Sequence, residues 1–324
     1  MKHRATAGLL ADTLYLGGGT PTLLGTDNLV RLIEAAKTYF SFAGEATLEA
    51  NPNSVDPDML LTLHQAGFNR ISFGIQSAVS QELLKLGRKH TFQQATQAVA
   101  WARTAGFDNI SADMMLGIPE QTTESALQSV SLFSVLGLTH VSAYLLKIEP
   151  ETLFARQNMA QFCPDEEETC RIYLSVVSAL EKAGFQQYEI SNFAIPGQES
   201  RHNLKYWRCE EYLGFGPAAH GYLNGKRYGH SKNLAEYLIC PEATIYNTDE
   251  HSGGFEEYAM LRLRLSEGLC TDEAEQLFSV PARTLLRKAE RFQKAGLLTV
   301  KNGCISLTPQ GFLVSNELIA ELIL

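Results

Sequence analysis

Between residues 13 and about 190, short apolar-rich runs alternate with longer amphipathic ones. Thr13–Leu16, Ala46–Ala50, Arg70–Gln76, Asn109–Met115, His140–Leu145 and Gln187–Ile190 have the length and side chains of strands. Helical stretches separate them, and their ends are marked. Asp56-Pro57 is an N-cap followed by proline at the first helical position. Thr26 and Thr91 fit N-cap positions, and Gly67, Gly106, Gly137 and Gly184 each follow a helical run. Repeated strand–helix–strand units predict a parallel sheet with right-handed crossovers.

Four of the strands are two-sided. Side chains alternate across a strand, so Ala46, Leu48 and Ala50 oppose Thr47, Glu49 and Asn51, while Ile71, Phe73 and Ile75 oppose Ser72, Gly74 and Gln76. Likewise Ile110, Ala112 and Met114 oppose Ser111, Asp113 and Met115, and Val141, Ala143 and Leu145 oppose His140, Ser142 and Tyr144. A parallel sheet covered on both faces reads as unbroken apolar runs. These runs instead predict helices on one face and a polar interior on the other, the arrangement of a partial TIM-like (β/α) barrel. Glu49, Gln76 and Asp113 lie toward the C-terminal ends of their strands, where such barrels build their sites.

Residues 191–250 lose the rhythm and read as an irregular bridge rich in Gly, Tyr, Asn and His. From about 254 three helical stretches precede a hairpin turning at Asn302-Gly303, and a last helix starts near Phe312. The expected organisation is 1–190 partial barrel, 191–250 bridge, and 251–324 helical, winged-helix-like domain. The α/β class with such a module raises the question of DNA. Residues 252–324 carry eight Lys/Arg against nine Asp/Glu, and the chain's net charge is -9, so nucleic acid is not expected as a partner. No segment approaches the roughly 18 apolar residues of a transmembrane helix, and a cytoplasmic location is expected. The six cysteines, at 163, 170, 209, 240, 270 and 304, have neither zinc nor iron–sulfur spacing and read as reduced core thiols.

Gly17-Gly18-Gly19-Thr20-Pro21-Thr22 follows the first strand. It lacks the third glycine of a dinucleotide fingerprint and the Lys-Ser/Thr of a P-loop. No helix begins until about Thr26, so exposed strand-end backbone is what remains, suited to the ammonium and carboxylate of an amino-acid-like ligand. A plain turn explains the run equally well.

The ordered stretches YLGGGTPTLL, LEANPNSVD, RISFGIQS, LGRKH, DMMLGIPEQT and YEISNFA resemble radical S-adenosylmethionine (radical SAM) enzymes of the oxygen-independent coproporphyrinogen III oxidase group. SRHNLKYW and YLGFGPAAHGY narrow the resemblance to the HemW-type heme chaperones. It runs from about residue 12 to the C-terminus. The resemblance implies that Gly18, Gly19, Thr20, Glu49, Gln76, Arg88 and Asp113 line S-adenosylmethionine. Asp113 would take the ribose hydroxyls and Arg88 the cofactor carboxylate. It implies that His202 meets heme iron and that Tyr206 and Trp207 offer flat surface to the porphyrin. It further implies an acceptor protein for the heme, with transient contact at a membrane protein compatible with it.

The family holds a [4Fe–4S] cluster through CxxxCxxC on its first strand. Here only residues 1–16 precede Gly17, and none is cysteine. The expectation is that a first strand unit is missing, that Ala5–Ala11 is the tail of its helix, and that the chain does not cleave S-adenosylmethionine; no catalytic residue is assigned. Heme carriage, the radical oxidase of porphyrin biosynthesis, and a cofactor-free scaffold acting through the C-terminal module are the three functions weighed. The first is favoured on His202.

Overall fold

The apolar sides of the two-sided strands are the floor of the core. The computed structural model describes residues 9–241, 245–249 and 252–323, in two compact units. The unit spanning 6–199 carries β1 (Leu10–Leu16), α1 (Thr26–Tyr39), β2 (Ser41–Ala50), α2 (Pro57–Ala66), β3 (Arg70–Gln76), α3 (Ser80–Lys85), α4 (Phe92–Ala105), β4 (Asn109–Leu116), α5 (Thr123–Ser134), β5 (His140–Leu145), α6 (Leu153–Arg156), α7 (Glu166–Lys182), β6 (Gln186–Gln187) and β7 (Asn192–Ala194). The strand order is β1-β2-β3-β4-β5-β7-β6, a curled half-barrel sheet, parallel from β1 through β5.

Leu48, Ile71, Phe73, Ile110, Ala112 and Val141 are fully buried, as are Leu29 and Ile33 of α1, Leu60 and Leu63 of α2, Ala98 and Ala102 of α4, and Phe133 of α5. Each large apolar side chain so buried contributes about 1.5–3 kcal/mol. The helix ends follow the sequence. Asp56 accepts from the Met59 amide, Thr91 and Gln94 form a reciprocal capping box, and Gly67 and Gly106 close α2 and α4 in the left-handed region. Thr26 is the first residue of α1, not its cap, which is Gly25.

Two sequence expectations change. The strand expected at Gln187–Ile190 is two short strands, β6 and β7, and β7 runs antiparallel to β5. Leu10 and Ala11 belong to β1 rather than to a helix tail, and Leu9 before them is in no helix; the rest of that assignment, residues 5–8, lies outside the described residues. Among the described residues β1 is the outermost strand, paired with β2 alone. Gly44 of β2 allows this pairing its irregularity between Ala11 and Thr13: a Cβ on Gly44 would stand 1.9 Å from the Asp12 carbonyl oxygen.

The second unit, from Ser200 onward, carries α8 (Arg201–Trp207), β8 (His220–Leu223), β9 (Lys226–His230), α9 (Leu234–Ile239), β10 (Ile245–Asp249), α10 (Phe255–Arg262), β11 (Leu269–Cys270), α11 (Thr271–Phe278), α12 (Ala282–Lys294), β12 (Leu298–Lys301), β13 (Cys304–Leu307), α13 (Pro309–Leu313) and α14 (Ser315–Ile323). The stretch expected to be irregular holds an antiparallel sheet, β10-β9-β8, whose β8–β9 turn is Asn224-Gly225 with both residues at positive φ. Residues 242–244 and 250 of that stretch lie outside the described residues. The C-terminal hairpin turns at Asn302-Gly303 as its sequence predicts, within the sheet β11-β13-β12. The last helical stretch is two helices, α13 and α14, rather than one.

The cysteines are not core thiols. Cys270 and Cys304 face each other across β11 and β13 and are bonded as a disulfide. Cys163, Cys170 and Cys209 are half-buried, and Cys240 is exposed.

Candidate functional site

The polar faces of β2, β3, β4 and β5 meet inside the half-barrel, and their side chains bond across strands. Ser72 Oγ donates to Asp113 Oδ1 at 3.2 Å, and Ser142 also bonds that carboxyl. Deeper in, Ser111 Oγ and His140 Nδ1 lie 2.7 Å apart, and His140 Nε2 meets Tyr188 Oη at 2.8 Å. Burial, then the Arg70 charge, holds the His140 imidazole neutral, well below its ordinary pKa.

The residues singled out from the sequence gather at the C-terminal ends of β1 to β4. The Gly18 amide donates to Glu49 Oε2 at 3.2 Å, and Tyr15 Oη donates to Glu49 Oε1 at 2.6 Å. Burial, and then the Glu49 carboxylate, keep the Tyr15 phenol protonated. Thr20 Oγ1 accepts from Asn51 Nδ2 at 2.9 Å, and Asn51 Oδ1 accepts from Arg88 Nη1 at 3.3 Å. A Cβ on Gly74 would stand 3.2 Å from Gln76 Nε2 and 3.3 Å from Asn51 Oδ1, so the bare glycine leaves these amides their room. Gly18 and Gly19 are exposed, and a Cβ on either would meet nothing within 4 Å.

Gln76 is held in a strained conformation, at φ 72°, where β3 breaks register with β4. Both neighbours explain how it is kept there. The Ile75 carbonyl accepts from His90 Nε2 at 3.1 Å, which fixes that ring's proton on Nε2. Ser77 Oγ donates to Glu82 Oε2 at 2.5 Å, and Ser125 Oγ donates to Glu82 Oε1 at the same distance. Gln76 Oε1 is buried without a hydrogen-bond partner, an acceptor aimed into the site.

Asp113 carries the largest electrostatic load. Its residue retains some contact with solvent, but protein surrounds the carboxyl. Burial, and then the nearby Glu49 charge, push its pKa up to about 6, against the hydrogen bonds from Ser72 and Ser142 and the Arg70 charge. Burial lowers the Arg88 pKa from its ordinary value, and Asp113 works against that. Tyr15, Asn51, Ser72 and Ser142 were not singled out from the sequence. The alternation had placed the last three on the polar face, but their partners are set by tertiary closeness.

A second constellation lies in the other unit. Ser200 caps α8 by accepting from the Asn203 amide at 3.4 Å. His202 is therefore on a helix, and Tyr206, one turn on, shares its face. His202 Nε2 and Tyr206 Oη share a hydrogen bond of 2.7 Å with the rings edge to face. Tyr206 packs edge-on against Tyr212, 4.5 Å between centroids. Tyr212 bridges Tyr222 of β8, and its Oη accepts from Arg227 Nη1 at 3.2 Å. Arg227 lies 4.8 Å over the Tyr222 ring and pairs with Glu257. Trp207 is not part of this row. Five residues beyond His202 it points to another side of α8, with Arg264 5.9 Å from its ring.

No cysteine lies on β1 to β4, and no group of three His, Cys, Asp or Glu among the described residues is placed to hold a metal ion. No helix among them is long and apolar enough to cross a membrane.

Residues 4–133 match the Radical SAM superfamily, and residues 255–314 match the HemN C-terminal domain. The chain is 34% identical to the heme chaperone HemW of Bacillus subtilis, over 94% of this chain and 83% of that protein. It is 32% identical to the mitochondrial radical S-adenosyl methionine domain-containing protein 1 of Bos taurus, over 96% of this chain and 75% of that one. Among solved structures it resembles the coproporphyrinogen III oxidase HemN of Escherichia coli, with a TM-score of 0.83 and 20% identity over 99% of this chain and 80% of that one, a likeness of fold. On the identity and reach of these relatives, the chain belongs to the HemW family of heme chaperones, built on the radical SAM half-barrel.

Proposed function

We propose that this protein carries heme, taking it up at α8 and passing it to an acceptor protein, on a half-barrel that also binds S-adenosylmethionine. The row of His202, Tyr206 and Tyr212 carries the reading. It joins an imidazole, the common protein ligand of heme iron, to aromatic surface that suits a flat macrocycle. Ligation through Nε2 takes that nitrogen from Tyr206 and frees the phenol for a propionate. Trp207, turned to Arg264, offers its ring to a different edge of α8. The relatives' name, heme chaperone, supports the same reading.

The polar end of the half-barrel fits S-adenosylmethionine, which when bound presents an ammonium, a carboxylate and ribose hydroxyls. Glu49 and the backbone at Gly18 and Gly19 suit the ammonium, Arg88 and Thr20 the carboxylate, and Asp113 the hydroxyls. The unpartnered Gln76 Oε1 is an acceptor that a ligand donor satisfies. A [4Fe–4S] cluster does not fit the residues present, since its thiolates are lacking and the free cysteines are scattered over residues 163–240. No radical step is assigned to these residues, and the His202 row favours heme carriage over the oxidase reading. We take the protein to work in the cytoplasm without nucleic acid, consistent with its acidic charge.

Titration with ferric heme, followed by absorbance, tests the reading. His202→Ala should lose the tightest binding by about tenfold or more and change the spectrum, as expected for a lost iron ligand. An unchanged affinity and spectrum would remove His202 from the site. At the cofactor end, Asn51→Ala should weaken S-adenosylmethionine by about tenfold in calorimetric titration. It unties Arg88 from Thr20, and each hydrogen bond to a charged group is worth about 1.5–3 kcal/mol. Equal affinity would show that the two residues are placed independently of Asn51.

A further inference from the structure

The stretch YLGFGPAAHGY contributes Tyr212 and Tyr222 to the row beside His202, and its other residues have no part in the site so far. Directly opposed residues of antiparallel strands share a face. His220 opposes Gly229, Tyr222 opposes Arg227, and Tyr246 of β10 opposes Gly229 from the other side. His220 and Tyr222 are two residues apart on β8 and so face the same way. One face of the small sheet therefore runs from Tyr212, Tyr222 and Arg227 to His220, Gly229 and Tyr246.

The two ends of this face differ. Arg227 and Tyr222 are covered, with Glu257 of α10 paired to the guanidinium. His220 and Tyr246 are exposed, the latter at 45%. Their rings converge on the bare α-carbon between them. A Cβ on Gly229 would lie 3.1 Å from His220 Cε1 and 3.0 Å from Tyr246 Cζ and Oη. The loop leading into β8 is held firmly behind His220. The Gly214 amide donates to Tyr228 Oη at 3.1 Å and the Gly216 amide to Tyr237 Oη at 2.8 Å, with the exposed Phe215 between them. Gly214 itself packs on the His220 backbone, where a Cβ would meet the His220 carbonyl oxygen at 2.0 Å.

We propose that His220, with Tyr246 over Gly229, is a second heme seat on the sheet face that continues the His202 row, and that its imidazole ligates the iron. The inference rests on the heme reading above and adds a residue and a place to it. An imidazole nitrogen lone pair binds the iron, so no electron is transferred and no other reactant is needed. Gly229 is buried beneath the His220 and Tyr246 rings, which lie together over it, and the exposed Tyr246 ring gives a flat porphyrin a surface to lie against beside the imidazole.

The test is a ferric heme titration of five proteins, followed by absorbance and resonance Raman: wild type, His202→Ala, His220→Ala, His202→Ala/His220→Ala, and His202→Ala/Gly229→Val. Far-UV circular dichroism checks that each is folded. His202→Ala should keep a weaker site with a histidine-ligated spectrum. Adding either His220→Ala or Gly229→Val should weaken that site at least tenfold, the valine by pushing the His220 and Tyr246 rings off the glycine they cover while keeping the imidazole in the chain. Residual binding indifferent to His220→Ala overturns the seat and leaves the heme reading standing. A response to His220→Ala alone, with a folded Gly229→Val variant unaffected, reduces His220 to a surface histidine and also overturns it. His202→Ala that binds no heme overturns it as well, whereas a wild type that binds none overturns the heme reading itself.

Discussion

Asp113→Asn should make the protein more stable at pH 7.5 and weaken its hold on S-adenosylmethionine by roughly 10- to 100-fold. The native carboxyl titrates at about 6, against an ordinary 3.8. Between those values the folded chain binds more protons than the unfolded one, so stability falls as pH rises through the window from about 4 to 6. Above pH 6 the cost of the buried charge is fully present, and below pH 4 it is absent. The difference corresponds to at most about 3 kcal/mol, and residual solvent contact reduces it to about 1–2 kcal/mol. The amide carries no charge and avoids the cost. Calorimetric unfolding should therefore give a midpoint a few degrees higher for Asp113→Asn at pH 7.5 and no difference at pH 4. The same change removes the anionic acceptor expected to hold the ribose hydroxyls, a loss of about 1.5–3 kcal/mol or roughly 10- to 100-fold in affinity. Wild-type affinity should itself decline below pH 6 as Asp113 takes up its proton. A variant no more stable than wild type at neutral pH would show that the network from Ser72, Ser142 and Arg70 already compensates the charge.

Gly44→Ala should cost about 3 kcal/mol or more, a large effect for one methyl group. The methyl would stand 1.9 Å from the Asp12 carbonyl oxygen, and backbone rather than a mobile side chain is what it meets. Relief requires moving β1 away from β2. Ser41→Ala, at an exposed position of the same strand, is the control and should change little. The loss should also reach the site, because β1 carries Tyr15 and leads directly into Gly18 and Thr20. Calorimetry with amide hydrogen exchange over residues 10–16 separates the outcomes. Rapid exchange confined to β1 with weakened S-adenosylmethionine binding is expected. Native stability and native exchange would mean that the bulge at Asp12 absorbs the methyl.

Much of the half-barrel is readable in the sequence because local and tertiary demands agree there. Arg70–Gln76 and His140–Leu145 end where their patterns end, since the helix-facing residues are apolar and the inner ones are not. Asp56-Pro57 and Thr91 with Gln94 mark their helix starts by capping chemistry that needs no partner elsewhere. The sheet of β8 to β10 was obscured by its composition. Gly221, Gly229 and His230 break the usual strand signature, although Asn224-Gly225 is a strong hairpin signal within it. The antiparallel β7 was missed because two- and three-residue strands have no period of their own. Asn51 and Tyr15 are site residues only through neighbours 31 and 34 positions away. The Cys270–Cys304 pairing arises from strand register across 34 residues, which spacing does not reveal.

The outermost position of β1 among the described residues has a consequence for how ligand and fold depend on each other. Its loop supplies one side of the polar cluster proposed to take S-adenosylmethionine, and β2, β3 and β4 supply others. A ligand held by all of them acts as a clasp across the sheet, joining its least supported strand to its most supported ones. Such a clasp stabilises the protein by an amount that grows with the logarithm of ligand concentration over Kd. On the proposed reading S-adenosylmethionine would be a fastening besides any chemistry: its abundance would set how often the margin of the half-barrel is closed.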